Sequence, residues 1–206
     1  MTTKISQNYS DKARSRLLES AKIKQKAAQD CLESILQAAD LITNTFKEGN
    51  KVLICGNGGS AADAQHIAGE FVCALNKSFE RPALPAIALT TDTSILTAFA
   101  NDFHFDGIFE RQIQALGKPN DLVIGISTSG NSKNIVNAIK MAKSQRLNTL
   151  TLTGESGVLA NMADVAISVP SSNVQYIQET LLSIEHILCE IVEEELFSEK
   201  KVKDGN

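Results

Sequence analysis

Residues 51–60 read KVLICGNGGS, and residues 122–132 read LVIGISTSGNS. Each begins as a short apolar, β-branched run and breaks into a turn of glycines or hydroxyls, after which a helical pattern starts. Near-continuous apolar runs of this length suit strands covered on both faces, as in a parallel sheet. Three further runs complete the set: Ala86–Thr90, Thr149–Thr153 and Val165–Val169. Helical patterns lie between them at about 60–75, 93–100, 107–116 and 132–145. A repeated strand–helix order with right-handed crossovers predicts an α/β fold with a doubly wound, open parallel sheet.

Long helical patterns flank this core. Residues 12–48 carry an apolar stripe at Leu32, Ile35, Ala39, Ile42 and Phe46, spaced by three and four. Asp30 with Glu33 reads as a capping box, so two helices are expected to meet near residue 30, and Gly49 is a stop signal. The last element, about 174–197, repeats the stripe at Val174, Ile177, Leu181, Ile184, Leu188 and Ile191. Such a stripe packs within the subunit or against a partner helix. Two long amphipathic helices exceed what one small sheet needs for cover, which predicts a homo-oligomer. The charged tail after Phe197 is expected to fray.

The chain has 206 residues, 43% of them apolar and 21% charged, with 20 basic and 24 acidic side chains for a net charge of −4. That composition is globular, and its acidic balance argues against direct nucleic-acid binding. The first twenty residues lack an apolar core, so no signal peptide is expected, and no apolar run approaches membrane-spanning length. Cys31, Cys55, Cys73 and Cys189 form no CxxC pair. They read as reduced thiols of a cytoplasmic protein.

Ligands of open parallel sheets bind beyond the carboxyl ends of the strands. There, Gly56-Asn57-Gly58-Gly59-Ser60 offers backbone N–H groups ahead of a helix, and Ser127-Thr128-Ser129-Gly130-Asn131-Ser132 offers four hydroxyls. Either loop alone could be an ordinary capped turn. Together they point to an anion site. Neither GxxxxGKS nor GxGxxG is present, so a phosphomonoester such as a sugar phosphate is favoured over a nucleotide. On the helix after the first loop, His66 and Glu70 lie four apart and share a face. On the last helix, Gln178 and His186 lie eight apart. Nitrogen and oxygen donors on two helices could surround a zinc-like cation, but spacing alone leaves a plain surface pair open. His104 reads as a loop histidine.

Together these residues resemble the phosphoheptose isomerases of the sugar isomerase (SIS) domain superfamily. The matching stretches are CGNGGSAADAQHIAGE at 55–70, RPALPAIALTTDTS at 81–94, AND at 100–102, GISTSGNS at 125–132, and the Gln178–His186 pair. The resemblance implies a single SIS domain with its core at about 30–197, an added N-terminal helix at about 10–29 and a tail at 198–206. Its flavodoxin-like sheet would have five parallel strands with helices on both faces. It implies a homotetramer with active sites at subunit interfaces and one Zn2+ per subunit. Substrate contacts fall on Asn57, Gly58, Gly59, Ser60, Glu70, Asn101, Asp102, Ser127, Thr128, Ser129, Ser132 and Gln178. Zinc ligands fall on His66, Glu70, Gln178 and His186, and the acid–base pair on Glu70 and His186. The implied reaction converts D-sedoheptulose 7-phosphate to D-glycero-D-manno-heptose 7-phosphate through an enediol. That is the first step toward ADP-heptose or GDP-heptose, the precursors of lipopolysaccharide and other surface glycans.

The chemistry is matched by the residue types. Aldose–ketose interconversion moves a proton between adjacent carbons and needs a base at C–H, an acid at the oxygens and a polarised carbonyl. Two departures stand out: Ala74 replaces an arginine usual in the family, with Lys77 as a substitute charge, and Leu181 replaces a histidine. The other readings are a non-catalytic SIS-domain protein associating with a replication initiator, and an isomerase or sensor of another sugar phosphate.

Overall fold

A computed structural model of the protein describes residues 7–76 and 80–201. The elements run α1 (Gln7–Asp30), α2 (Leu32–Lys47), β1 (Val52–Gly56), α3 (Gly59–Val72), β2 (Ala86–Ala88), α4 (Thr93–Asp102), α5 (Ile108–Leu116), β3 (Leu122–Ser127), α6 (Lys133–Ser144), β4 (Asn148–Gly154), β5 (Val165–Val169) and α7 (Val174–Lys201). The five strands form one all-parallel sheet in the order β2-β1-β3-β4-β5. The fold is the expected α/β architecture, an open parallel sheet with helices on both faces.

Side chains alternate across the sheet, as strand geometry requires. Val52 and Ile54 of β1 enter a core closed by α2, α3 and α7. Leu53 and Cys55 enter a second core closed by α5 and α6. The buried threonines of β4 keep their hydroxyls bonded: Thr149 to Asp164 at 2.7 Å, Thr151 to the Leu159 carbonyl at 3.3 Å, and Thr153 to the Gly154 carbonyl at 3.0 Å.

Four expectations change. β2 has three residues, not five: it is an edge strand paired only with β1, and the chain turns at Leu89 and Thr90, the Leu89 N–H making a last bond to the Ile54 carbonyl at 2.8 Å. The α1–α2 break falls at Cys31, and no capping box forms. Asp30 ends α1, while Cys31 stays near-helical (φ −106°, ψ −1°) without a side-chain cap. Leu32 is exposed rather than buried, on the outer side of α2. α7 continues to Lys201, so the tail is helical for four residues beyond Phe197. Residues 202–206 and Lys77 lie outside the described residues.

Most of the α7 stripe is used inside the subunit: Ile177, Leu181, Ile184 and Leu188 are buried in the first core and Ile191 packs against it, while Val174 at the start of the helix is exposed. It therefore does not argue for a partner. Exposed apolar side chains include Val174 and Ile187 on α7, but most lie elsewhere, such as Leu17 and Leu18 on α1, Leu32 and Leu36 on α2, and Phe103 and Phe105 beyond α4. α4 buries none of its residues.

One α7 residue breaks the apolar pattern. Glu185 is 1% exposed, and both its carboxyl oxygens lack a partner among the described residues. Burial pushes its carboxyl up to about 9, and the nearby Asp63 carboxylate adds to the rise. The folded protein thus keeps a proton that the unfolded chain releases near pH 4.3.

Two outcomes follow from this packing. Leu181→Ala should destabilise the protein by about 2–5 kcal/mol, read by urea unfolding; a loss below about 1 kcal/mol would show that α7 is not held by this stripe. Between roughly pH 4.5 and 9, wild-type stability should fall with rising pH by up to about 1.4 kcal/mol per unit from this proton. Glu185→Gln should remove that slope, so the variant gains on wild type as pH rises; parallel stability curves would refute the buried neutral acid.

Candidate active site

β1 and β3 are neighbours at the centre of the sheet, so both ligand loops leave at the same edge, side by side. Gly56 has no room for a side chain: a Cβ there would lie 2.3 Å from the Ser60 carbonyl oxygen. Gly58 has open space around it, but its φ of +56° excludes most side chains. α3 then starts at Gly59 with Gly58 as its N-cap, and no side chain bonds its first N–H groups. α6 starts likewise. Its N-cap Ser132 turns to Ser127 (Oγ–Oγ 3.0 Å) and leaves the helix N-terminus uncapped. Ser127 also lies 3.4 Å from Ser129. Gly130, with φ +63° and the Ser156 carbonyl 2.3 Å from its would-be Cβ, shapes this loop. Two uncapped helix N-termini beside clustered hydroxyls present donors to an anion.

Asn57 and Asn134 join the loops through a reciprocal pair of carboxamide bonds of 2.9 and 2.8 Å. The Asn57 side chain is therefore engaged with the protein. Asn134 is buried on α6.

The other half of the site lies between α3 and α7, which run parallel across the same sheet face. Their contacts pair Ser60 with Gln178 and His66 with His186 along both chains. The imidazole Nε2 atoms of His66 and His186 are 2.7 Å apart, and Glu70 Oε1 is 3.6 Å from His66 Nε2. One donor atom from each of the three residues falls within 4.8 Å of the others. The His66 side chain is 40% exposed, so the cluster opens to solvent.

Gln178 does not join this cluster. Its amide nitrogen donates to Asp63, and its oxygen accepts from Ser60 Oγ at 3.3 Å. Asp63 itself is buried, and burial raises its carboxyl despite the Gln178 bond and the His66 imidazole, which both lower it. Asn101 and Asp102 also stand apart. They are exposed at the end of α4, bonded to each other (2.9 Å), on the side of the sheet away from α3 and α7. His104 is exposed and stacks edge-on to Phe99, as a loop histidine would.

Sequence reading missed Asn134, Asp63 and Glu185. Asn134 and Glu185 lie inside helical patterns where nothing distinguishes them. Asp63, three residues before His66, carried the one usable signal, since i and i+3 lie on one helical face.

A family model described as "SIS domain" matches residues 17–154. Among curated proteins, the phosphoheptose isomerase of Roseiflexus sp. (strain RS-1) is 48% identical over 178 residues, covering 86% of this chain and 89% of that protein. The phosphoheptose isomerase of Aneurinibacillus thermoaerophilus is 50% identical over 177 residues, covering 85% and 88%. The solved phosphoheptose isomerase from Neisseria gonorrhoeae superposes with a TM-score of 0.85 at 39% identity, over 90% of this chain and 99% of that one. Identity of this order over nearly the full length of each protein, joined to the shared fold, places the chain in the phosphoheptose isomerase family of SIS-domain proteins.

Proposed function

We propose that this protein interconverts D-sedoheptulose 7-phosphate and D-glycero-D-manno-heptose 7-phosphate. The observation that carries the reading is the meeting of His66, Glu70 and His186 from two helices, beside two donor-rich loops. A binding protein or a sensor has no need of a carboxylate and two imidazoles held together and open to solvent.

The hydroxyls of Ser127, Thr128, Ser129 and Ser132 and the uncapped start of α6 hold the phosphate. The start of α3, at Gly58, Gly59 and Ser60, takes the sugar chain, with Gln178 above it. Glu70 removes the proton from C1 of the ketose, giving the enediol, and returns it to C2. His186 passes the hydroxyl proton between O1 and O2. The donor set, two imidazole nitrogens and a carboxylate with an open side, fits Zn2+. Bound there by His66, Glu70 and His186, zinc would polarise the substrate carbonyl. Gln178 becomes a fourth ligand only by leaving Asp63 and Ser60.

Assembly is part of the proposal. In one protomer Asn101 and Asp102 lie away from the cluster. A homotetramer with interfacial sites lets a neighbouring copy supply them and covers the apolar side chains on α1, α2 and α4. A cytoplasmic setting agrees with the buried, unpaired Cys31, Cys55 and Cys189. Among the described residues no helix is long and apolar enough to cross a membrane. The product would feed heptose precursors of surface glycans.

Incubation with sedoheptulose 7-phosphate should yield the aldose phosphate, and a chelator should suppress turnover. Glu70→Gln should fold, bind substrate and lose about 10²- to 10⁴-fold in kcat. His186→Gln should lose kcat and bound zinc together. Near-normal turnover in Glu70→Gln would sink the mechanism, and full zinc occupancy in His186→Gln would sink the metal assignment. Light scattering at micromolar concentration should give the mass of four chains; a monomer would remove the interfacial site.

A further inference from the structure

We propose that Arg81 is a positioning residue for Glu70, acting through a buried ion pair with Glu193; the inference rests on the acid–base role given to Glu70 above. α3 ends two residues after Glu70, at Val72. The last carbonyls of a helix have no partner within it. Here Arg81 supplies partners: Nη2 donates to the Glu70 carbonyl at 2.7 Å, and Nη1 to the Phe71 carbonyl at 2.9 Å and the Pro82 carbonyl at 3.0 Å. Its third nitrogen, Nε, donates to Glu193 Oε1 at 2.6 Å. Glu193 in turn accepts the backbone N–H groups of Leu75 at 2.9 Å and Asn76 at 3.4 Å. The two side chains are 1% and 3% exposed, and the guanidinium lies 5.8 Å from the Phe197 ring centroid.

A buried ion pair is weak evidence for stability, because apolar side chains of similar volume often serve as well. What such a pair adds is direction, and here the direction is specific. One end of the fork lands on the backbone of Glu70 itself. The other end lands on α7 at Glu193, seven residues and about two turns beyond His186, hence on the same face of that helix. The pair therefore ties the two helices that carry the cluster, immediately beyond the cluster, and sets the end of α3 against α7. Sliding or fraying of that last turn would change the separation of Glu70 from His186. Lysine could keep the charge but not reach these acceptors together, since it lacks the planar fork.

The test compares wild type with Arg81→Met, Arg81→Lys and Glu193→Gln. Three quantities are read: kcat and KM for sedoheptulose 7-phosphate, Zn2+ affinity of the metal-stripped protein by chelator competition, and the urea midpoint. Arg81→Met should lower kcat and zinc affinity about 10- to 100-fold, as loss of a group supporting metal ligands does. KM should stay within about twofold, because the phosphate loops lie at the other end of α3. Arg81→Lys should recover much of the urea midpoint but little of kcat. If Arg81→Met does not fold, Arg81→Lys and Glu193→Gln, which retain polar atoms, decide the matter. A lowered midpoint with wild-type kcat and zinc affinity per folded molecule would reduce Arg81 to a stabilising residue and overturn the inference. Wild type that binds zinc but does not turn over the heptulose phosphate would overturn the substrate reading alone, and zinc affinity would still decide Arg81. Wild type that does neither would overturn both.

Discussion

The site depends on the side-by-side contact of α3 and α7. Neither helix holds the triad alone: His66 and Glu70 come from one, and His186 from the other. α3 leaves β1, near one side of the sheet, whereas α7 follows β5 at the opposite edge. The last helix must therefore cross back over the sheet to reach its partner. Its 28 residues, about 42 Å of helix, give it the length to do so. Small residues let the two approach. Gly59 has Gln178 Oε1 3.2 Å from where a Cβ would sit, and Ala64 and Ala68 are buried on the inner side of α3.

The layered fold could be read from the chain because hydrophobic periodicity reports burial directly. The apolar runs of β1 and β3 and the turns behind them appear where the pattern put them. Periodicity does not report what a face is packed against. The α7 stripe reads equally well as a seam between subunits and as an internal contact, and most of it is internal. The expected β2 runs long because Leu89 and Thr90 continue its apolar, β-branched composition while the chain is already turning there, although the Leu89 N–H still bonds the Ile54 carbonyl. The four-residue spacing of His66 and Glu70 predicts a shared face, but it holds no information on whether α7 reaches that face. That knowledge is tertiary, as is the turning of Gln178 to Asp63.

α7 also shows two ways of burying a carboxylate. Glu193 receives an arginine and two backbone N–H groups, so its charge is matched on every side. Glu185, two turns earlier, meets no donor among the described residues and faces another acid. The first arrangement gives the side chain a fixed direction. The second favours the neutral form and gives none. Glu185 adjoins His186 and Glu193 lies two turns beyond it, so the last helix combines a rigid strut and an uncompensated acid on either side of one ligand-bearing position.

The short edge strand has a consequence for the solution behaviour of the protein. β2 has only three residues, follows directly on Pro85, and has Pro82 three residues before that. Its outward edge therefore presents few free N–H and C=O groups in register. A foreign strand laid along it would find too short a ladder to repay its ordering, and proline has no N–H to offer next to it. The side of the sheet nearest the α3 loop is thereby protected from edge-to-edge pairing. A parallel sheet of this kind is slow to assemble because its neighbours are distant in sequence, and a blunted edge removes one template for cross-β pairing during that time.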